Sequence, residues 1–325
     1  LFCDNVLVLE KGKKAFYEGE IADKIVAEMR NNNGLITKKD LEIYEPVIRK
    51  PVEGKYKDYT IYSMPPPSSG GVHLIQMLNI LEPFDLEQWG HNSAKTIHIM
   101  AETMKFAYAD RSKYLGDSDF VPVPIKGLIS KDYANQLRGK INLQTATLSK
   151  DILPNNPLKF QESNDTTHYS VVDKYGNAVA NTYTLNFSYG AGITVPNTGI
   201  LLNNEMDDFV AKPGVANAFG LTGGEFNSIA PEKRMLSSMT PTIVMKDGEV
   251  FLVTGSPGGS RIITTVLQII MNVINFQMNI AEATVAARFH HQWLPDKLYV
   301  EKEINQDTIN LLKNKITKFS NLFRR

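Results

Sequence analysis

A threonine at the junction between a polar loop and a strand is the first candidate for chemistry. Residues 161–165 (QESND) form the loop, and a strand-like alternation begins at Thr167. The junction residue, Thr166, would be an N-terminal nucleophile if the bond after Asp165 were cut, because its free α-amino group could then serve as its base. The alternative is a threonine that only enters a strand, as threonines often do.

Two neighbouring side chains could assist such a nucleophile. His168 is two positions away from Thr166 on the same predicted strand, which places it about 6.5–7 Å away and out of reach of a direct hydrogen bond. We therefore expect a structural role for His168. A turn at Gly176 predicts that strand 178–185 pairs back and brings Thr184 beside Thr166, although Thr184 could also be an ordinary strand threonine.

Polar side chains that suit an amino-acid head group occur in two places. The cluster NNEMDD at 203–208 follows an apolar run, and its carboxylates could bind an ammonium group or a metal, or form a solvated surface. No histidine or cysteine spacing accompanies them, so we expect no metal. Ser237 and Ser238 carry hydroxyls that can donate to a carboxylate or can form a simple turn.

A glycine-rich segment, GSPGGSR at 255–261, precedes a predicted helix. It looks like a phosphate-binding loop but lacks the GK[ST] ending of that motif. Its glycines allow backbone N–H groups to point inward at a helix N-terminus, where an anion binds favourably. The segment therefore predicts an anion-stabilising turn rather than a nucleotide site.

Composition excludes several classes of function. The chain has 325 residues, with 35 basic and 35 acidic side chains, so no basic field suggests nucleic-acid binding. Cys3 is the only cysteine, which excludes an intrachain disulfide and a cysteine metal cage. The longest apolar run, 262–276, contains several polar residues and predicts a buried helix rather than a membrane span. We expect no cofactor.

The elements that must position these residues change in character along the chain. The first half predicts helices, and residues 140–165 predict a mobile, polar linker before the candidate cleavage bond. The second half begins with strands and returns to helices, which predicts an α+β fold with two sheets between helices. The predicted helices are 18–31, 72–81, 93–114, 260–276 and 279–287, and the predicted strands of the second half are 167–173, 178–185, 241–246 and 249–254.

Seven stretches, spread over essentially the whole chain, resemble the γ-glutamyltranspeptidases, a family of N-terminal-nucleophile hydrolases whose bacterial members are the most similar. The stretches are MPPPSSGGVH (64–73), FAYADRSKYLGD (106–117), TTHYSVVDKYGNAVANTYTLN (166–186), GILLNNEMDDF (199–209), LSSMTPTIV (236–244), TGSPGGSRIITTVLQ (254–268) and RFHHQWLPD (288–296).

The resemblance implies a four-layer αββα sandwich and a zymogen that cuts itself between Asp165 and Thr166. Residues 1–165 would be the C-terminal part of the large subunit and 166–325 the small subunit, forming one composite domain and a heterodimer. The implied reaction transfers the γ-glutamyl group of glutathione or related amides to water, amino acids or dipeptides through a threonyl ester. The implied location is periplasmic or secreted.

The resemblance also implies roles for the catalytic residues. Thr166 is the nucleophile, and the hydroxyl of Thr184 bonds to it and assists self-cleavage. The N–H groups of Gly258 and Gly259 form an oxyanion hole, which fits the glycine-rich turn described above.

The implied substrate contacts lie on three segments of the second half. Glu205 and Asp208 bind the α-ammonium group, and Ser237 and Ser238 bind the α-carboxylate. Asn186 helps to close the pocket and contacts the substrate.

Two departures from the family pattern affect these expectations. The chain starts after the region that carries the family's substrate-clamping arginine and stops at Arg325, where the family continues, so we expect a fragment. In the lid-like segment 213–224, Phe219 replaces a tyrosine, which we expect to weaken closure and favour water as acceptor. Two rival readings remain. One is a related amide acylase on the same scaffold, and the other is not an enzyme but an inactive, truncated remnant or a folding-dependent interaction protein.

Overall fold

The computed structural model describes residues 8–152, 166–315 and 319–322. The chain divides into two compact units, of which the first consists of residues 1–50 and 185–204 and the second of the remainder. Both sides of the predicted cleavage bond contribute to the second unit. The division into subunits at that bond stays a prediction, because Asp165 lies outside the described residues.

The described elements are predominantly helical before Thr166 and mixed after it. The helices are α1 (Lys13–Tyr17), α2 (Glu20–Asn31), α3 (Lys38–Glu42), α4 (Gly70–Leu81), α5 (Leu86–Trp89), α6 (Ala94–Tyr114), α7 (Ile125–Leu128), α8 (Lys131–Arg138), α9 (Ile262–Ile274), α10 (Ile280–Val285) and α11 (Gln306–Lys313). The strands are β1 (Val52–Tyr56), β2 (Tyr59–Ser63), β3 (Thr167–Val172), β4 (Ala178–Tyr183), β5 (Thr194–Val195), β6 (Ile200–Leu201), β7 (Thr242–Lys246), β8 (Glu249–Thr254), β9 (Phe289–His290), β10 (Leu298–Glu301) and β11 (Phe319–Leu322). Short 3₁₀ helices occur at Ser149–Asp151, Glu205–Asp208, Glu225–Asn227 and Gly259–Arg261.

The first unit is built on the amphipathic helix α2. Its buried residues Ile21 and Ile25 pack against Val195 of β5, which pairs antiparallel with β6. Partly buried side chains from the neighbouring elements, Ile200 of β6 among them, complete this small core. Apolar residues recur at the helical period along one face of α2, which explains why this segment forms a helix that packs within the first unit.

A four-stranded antiparallel sheet, in the order β1-β2-β7-β8, lies at the centre of the second unit. Asp247 and Gly248 both have positive φ angles, which suits the tight turn between β7 and β8. Helix α4 packs against β1 and β2, and α6 and α9 pack against α4. All twelve residues of α4 are buried, and its polar residues His73, Gln76 and Asn79 are buried with hydrogen-bond partners.

The strands that carry the candidate nucleophile form a separate hairpin. Strands β3 and β4 pair antiparallel, with Thr167 opposite Tyr183, and the hairpin packs against β7 and β8. Every residue of β3 except His168 is exposed. A second small sheet, in the order β11-β10-β9, follows α10.

These elements confirm the predicted α+β class, and the main helices and strands agree with the sequence pattern to within a few residues. The prediction of a mobile linker over 140–165 is wrong for its first part. Ser149 is fully buried, its N–H and hydroxyl both donate to Asp296, and the Trp293 indole donates to its carbonyl. A polar composition did not reveal these distant partners. Residues 153–165 lie outside the described part.

The adjacent histidines His290 and His291 are both buried, so this pair packs inside the protein. Among the described residues, no helix combines the length and the apolar character that crossing a bilayer requires.

Candidate active site

Thr166 directly precedes β3 and faces Thr184 at the end of β4. Their hydroxyl oxygens are 3.4 Å apart, which is a long hydrogen bond, and Thr166 donates. The β3–β4 register puts Thr167 opposite Tyr183. Thr166 and Thr184, the next residue on each side, therefore meet just beyond the end of the ladder. The structure therefore brings together the two hydroxyls that the turn near Gly176 predicted to be neighbours.

His168 bonds to other partners. Its Nδ1 is 2.8 Å from the hydroxyl of Thr182, and its Nε2 is 3.1 Å from that of Ser170. A Cβ on Gly255 would lie only 2.2 Å from Nδ1, so this glycine allows β8 to approach the imidazole closely. Both ring nitrogens are thus engaged within the hairpin, which agrees with the predicted structural role.

The glycine-rich turn connects β8 to α9 through a single 3₁₀ turn. Gly258 and Gly259 have φ angles of 131° and 51°, which side chains other than glycine rarely adopt. In the described part of the chain, neither amide N–H donates to a protein acceptor. Two adjacent N–H groups before a helix N-terminus can stabilise a developing oxyanion.

Phe219 covers this turn. Its side chain is 4% exposed, and a Cβ on Gly259 would lie 2.5 Å from the ring. The amide of Gln292 donates to the carbonyl of Phe219. The ring at the position of the family's tyrosine therefore packs directly on the candidate oxyanion hole.

The acidic cluster forms a 3₁₀ helix at Glu205–Asp208, in which the carboxylates differ in environment. Burial raises the pKa of Glu205 above its usual range. Burial also raises the pKa of Asp208 to about 7; Arg111 counteracts this shift, and the carboxylates of Glu205 and Asp207 add to it. Asp207 is exposed and accepts from the N–H of Ala218. Glu205 and Asp208 are thus the carboxylates that would gain most from an ammonium partner.

The serine pair is held by the loop that precedes α4. Pro67 accepts from the N–H of Ser237, and the carbonyl of Ser237 accepts from both the N–H and the hydroxyl of Ser69, each at 2.9 Å. Asp117, which is fully buried, accepts from the N–H of Arg234 at 2.8 Å. Segment 234–238 is therefore fixed from two sides of the fold.

A residue that sequence reasoning did not single out links these parts. Arg111 of α6 is 4% exposed and donates to Ser69, Leu236 and Ser238. A small cleft of about 10 Å³ is lined by Arg111, Asp208 and Leu236, among others. The sequence shows Arg111 only as part of an Asp-Arg pair in a predicted helix, which the structure buries along most of its length. The hydrogen-bond partners of Arg111 lie on other segments, so the sequence did not reveal its role.

Asn186, the remaining predicted substrate contact, belongs to the first unit. It is buried, has a φ angle of 76°, and its side-chain amide donates to the carbonyl of Asn204 at 3.2 Å. The hydrogen bonds thus fix its side chain on a strained backbone, a combination found at functional positions. Its role stays a prediction.

The family model for gamma-glutamyltranspeptidase matches residues 7–322. The chain belongs to the γ-glutamyltranspeptidase family. It is 58% identical, over 95% of its length, to the glutathione hydrolase proenzyme of Escherichia coli (strain K12), and it covers 53% of that protein. It is 48% identical, over 97% of its length, to the corresponding proenzyme of Pseudomonas sp. (strain A14), of which it covers 54%.

Acylases are also related to this chain. The acylase ACY 1 proenzyme of Pseudomonas sp. (strain SE83) is 39% identical over 87% of the chain, which covers 48% of it. The crystal structure of cephalosporin acylase from Bacillus halodurans superposes with a TM-score of 0.83 at 26% identity, over 98% of this chain and 54% of that one. This match confirms the four-layer αββα sandwich. The chain spans about half the length of the curated relatives it matches.

Proposed function

We propose that the protein is a γ-glutamyltransferase and glutathione hydrolase that matures by cutting its own chain between Asp165 and Thr166. The observation that carries the proposal is the pair of facing hydroxyls of Thr166 and Thr184, 3.4 Å apart at the start of β3, in a chain of this family. The curated relatives, named as glutathione hydrolase proenzymes, support the same reading.

Self-cleavage begins with the hydroxyl of Thr166. Its oxygen attacks the carbonyl carbon of Asp165, the C–N bond breaks, and the nitrogen takes up a proton to become the free α-amine. The resulting ester is hydrolysed by water, which leaves a carboxylate on Asp165 and restores the threonine hydroxyl. Thr184 supports the attack by accepting a hydrogen bond from the hydroxyl of Thr166 and holding that oxygen at the end of the strand.

Turnover reuses the same oxygen with a new base. The α-amine of Thr166, with an ordinary pKa of about 7.7–8.0, takes the hydroxyl proton near neutral pH. The oxygen attacks the γ-carbonyl carbon of the donor, and the N–H groups of Gly258 and Gly259 stabilise the oxyanion. The leaving amine departs with the proton, and water or the amine of an amino acid or dipeptide then attacks the γ-glutamyl ester.

Recognition of the glutamyl head group is divided between two sets of side chains. Glu205 and Asp208 pair with the α-ammonium group, and the hydroxyls of Ser237 and Ser238 donate to the α-carboxylate. We assign to Asn186 a further contact to the substrate. The pieces 1–165 and 166–325 stay together as a heterodimer. From the resemblance to bacterial family members, we propose that the enzyme acts in the periplasm or outside the cell.

A related amide acylase is the second candidate, favoured by the fold match to cephalosporin acylase and the 39% identity to acylase ACY 1. Glu205 and Asp208 argue against it, because their partly buried carboxylates suit a charged ammonium group. Turnover of γ-glutamyl p-nitroanilide and glutaryl p-nitroanilide separates the two functions. A transpeptidase prefers the γ-glutamyl compound, whereas an acylase that ignores the ammonium group does not.

The decisive experiment replaces the nucleophile in the full-length protein. Thr166→Ala removes the attacking oxygen, so we expect neither self-cleavage nor release of p-nitroaniline from the γ-glutamyl anilide. Intact mass after incubation at neutral pH measures the first, and absorbance measures the second. Thr167→Ala, at the exposed first residue of β3, is the matched control and should behave as wild type. A Thr166→Ala protein that is still cut at this bond, or still turns over, refutes the proposal.

A further inference from the structure

Arg111 is a buried cation in the last turn of α6. Its side chain is 4% exposed, and burial lowers the pKa of the guanidinium while the charge of Asp208 raises it. A buried arginine is costly unless its donors are satisfied. The acceptors that satisfy the donors of Arg111 therefore indicate its role.

The guanidinium reaches both serines of the predicted carboxylate site. Nη2 donates to the hydroxyl of Ser238 and to the carbonyl of Leu236, both at 3.2 Å. Nε donates to the hydroxyl of Ser69 at 2.9 Å, and that hydroxyl donates to the carbonyl of Ser237, also at 2.9 Å. A single planar group thus fixes Ser238 directly and Ser237 through Ser69.

These bonds also determine how the serine hydroxyls can act. The oxygen of Ser238 accepts from Arg111, and the oxygen of Ser237 accepts from the N–H of Met239 at 3.0 Å. Each hydroxyl has one hydrogen to donate, and in each case an N–H group already uses the oxygen as acceptor. Among the described residues, neither O–H group donates to a protein acceptor, so both can donate to a carboxylate, and a hydroxyl that accepts from a cation is a stronger donor.

We propose that Arg111 is a positioning residue for the substrate α-carboxylate and acts through Ser238 and Ser69. The inference rests on the proposed function and assigns a specificity role to a side chain outside the predicted contacts. Its Nε and Nη2 donors bond to protein acceptors, and through them Arg111 acts on the serine pair. Lysine would keep the charge near Asp208 but could not reproduce the planar fork.

The test compares three p-nitroanilides in the full-length protein. The γ-glutamyl compound carries both head groups, the 4-aminobutyryl compound lacks the α-carboxylate, and the glutaryl compound lacks the α-ammonium group. The ratio of kcat/KM for γ-glutamyl over 4-aminobutyryl measures carboxylate recognition. The ratio of γ-glutamyl over glutaryl measures ammonium recognition.

We expect Arg111→Lys to lower the carboxylate ratio by at least about tenfold, the loss typical of one hydrogen bond to a charged group. The change should appear mainly in the KM for the γ-glutamyl compound, while the ammonium ratio stays within about twofold because the charge is kept. Adding Arg111→Lys to Ser238→Ala should cause a smaller loss than Arg111→Lys alone, since the bond between Arg111 and Ser238 is already gone and only the link through Ser69 is left to lose.

Arg138→Lys is the matched control. The guanidinium of Arg138 donates to Asn135 and to the carbonyl of Ile80. Its hydrogen-bond partners therefore do not include the serine pair or Ser69. The control should leave both ratios unchanged. If Arg111→Lys does not fold, Ser69→Ala removes the other link and should lower the carboxylate ratio alone.

The outcomes separate the inference from the proposed function. A wild-type protein that neither cuts itself nor hydrolyses the γ-glutamyl compound refutes the proposed function. Normal wild-type activity with an Arg111→Lys or Ser69→Ala protein whose three substrates decline equally refutes the positioning role alone, because a general structural defect does not distinguish between head groups.

Discussion

The serine pair and the threonine hairpin lie in the same unit but are held in different ways. Ser238 is 8% exposed and bonds to a buried arginine, whereas every residue of β3 except His168 is exposed. The serines are linked by hydrogen bonds to α6 and to the loop before α4. The hydroxyl pair of Thr166 and Thr184 consists of one long contact at 3.4 Å.

The difference indicates that the proposed head-group site is pre-organised and that the proposed nucleophile is not. A binding site gains affinity when its donors are fixed before the ligand arrives. A threonine that first attacks the bond preceding it, and later a separate substrate, must adopt two positions. The long hydroxyl contact between the half-buried Thr166 and Thr184 is suited to that double use. Changes in the two regions should therefore alter different measured quantities.

The largest effect is expected at the oxyanion hole. Gly259→Ala forces a side chain onto a backbone with a φ of 51° and brings a Cβ within 2.5 Å of the Phe219 ring. We expect kcat to fall by about 10²- to 10³-fold, as for the loss of one oxyanion donor, with the carboxylate ratio unchanged. Gly127→Ala, in open space, is the control. A collapse of the ratio as well would show that the two regions are not independent.

A smaller effect is expected from the partner of the nucleophile. Thr184→Ala removes one hydroxyl from the pair with Thr166 and should slow self-cleavage by about tenfold, the value of a single hydrogen bond. Thr184→Ser keeps the hydroxyl and should restore most of the rate. The measurement is a time course of intact mass. Equal rates for the alanine and serine variants would remove Thr184 from the mechanism.

The smallest effect is a pH dependence that belongs to recognition alone. Because the pKa of Asp208 is raised to about 7, its carboxylate becomes protonated as the pH falls. Protonation removes the negative charge that would attract the α-ammonium group. Arg111 lowers this pKa, and Glu205 and Asp207 raise it. Between pH 7.5 and 6.5 we expect the KM for the γ-glutamyl anilide to rise about threefold.

The glutaryl anilide is the internal control for that measurement. It lacks the ammonium group, so its KM should not follow Asp208, while both substrates share the titration of the Thr166 amine. The ratio of the two KM values therefore isolates recognition. A ratio that stays constant over this range would mean that Asp208 does not pair with the ammonium group.

Local patterns in the sequence predicted the elements that depend on local physics. The apolar period of α4, the long helix up to Tyr114 and the turn near Gly176 placed the main helices and brought Thr184 beside Thr166. Patterns could not predict contacts between distant segments. Arg111 meets Ser238 from 127 positions away, and no periodicity in α6 reports such a partner.

The same limit explains why the linker prediction was wrong around Ser149 and why the sheet of β9, β10 and β11 was not predicted. Polarity around Ser149 suggested mobility, but Asp296, 147 positions away, accepts both of its donors. Strand β9 has only two residues and β10 has four, which is too short for an alternating pattern to stand out. Long-range pairing alone determines such elements.

The pairing of β2 with β7 has a consequence for how the protein can be made. The two strands come from opposite sides of the Asp165–Thr166 bond and share a continuous backbone ladder from Tyr59 opposite Lys246 to Ser63 opposite Thr242. If the pieces were synthesised as two separate chains, each would present an open strand edge to other molecules. Covalent continuity before the proposed cut would thus act as an assembly guide, because it delivers both halves of the sheet at a one-to-one ratio and at high local concentration.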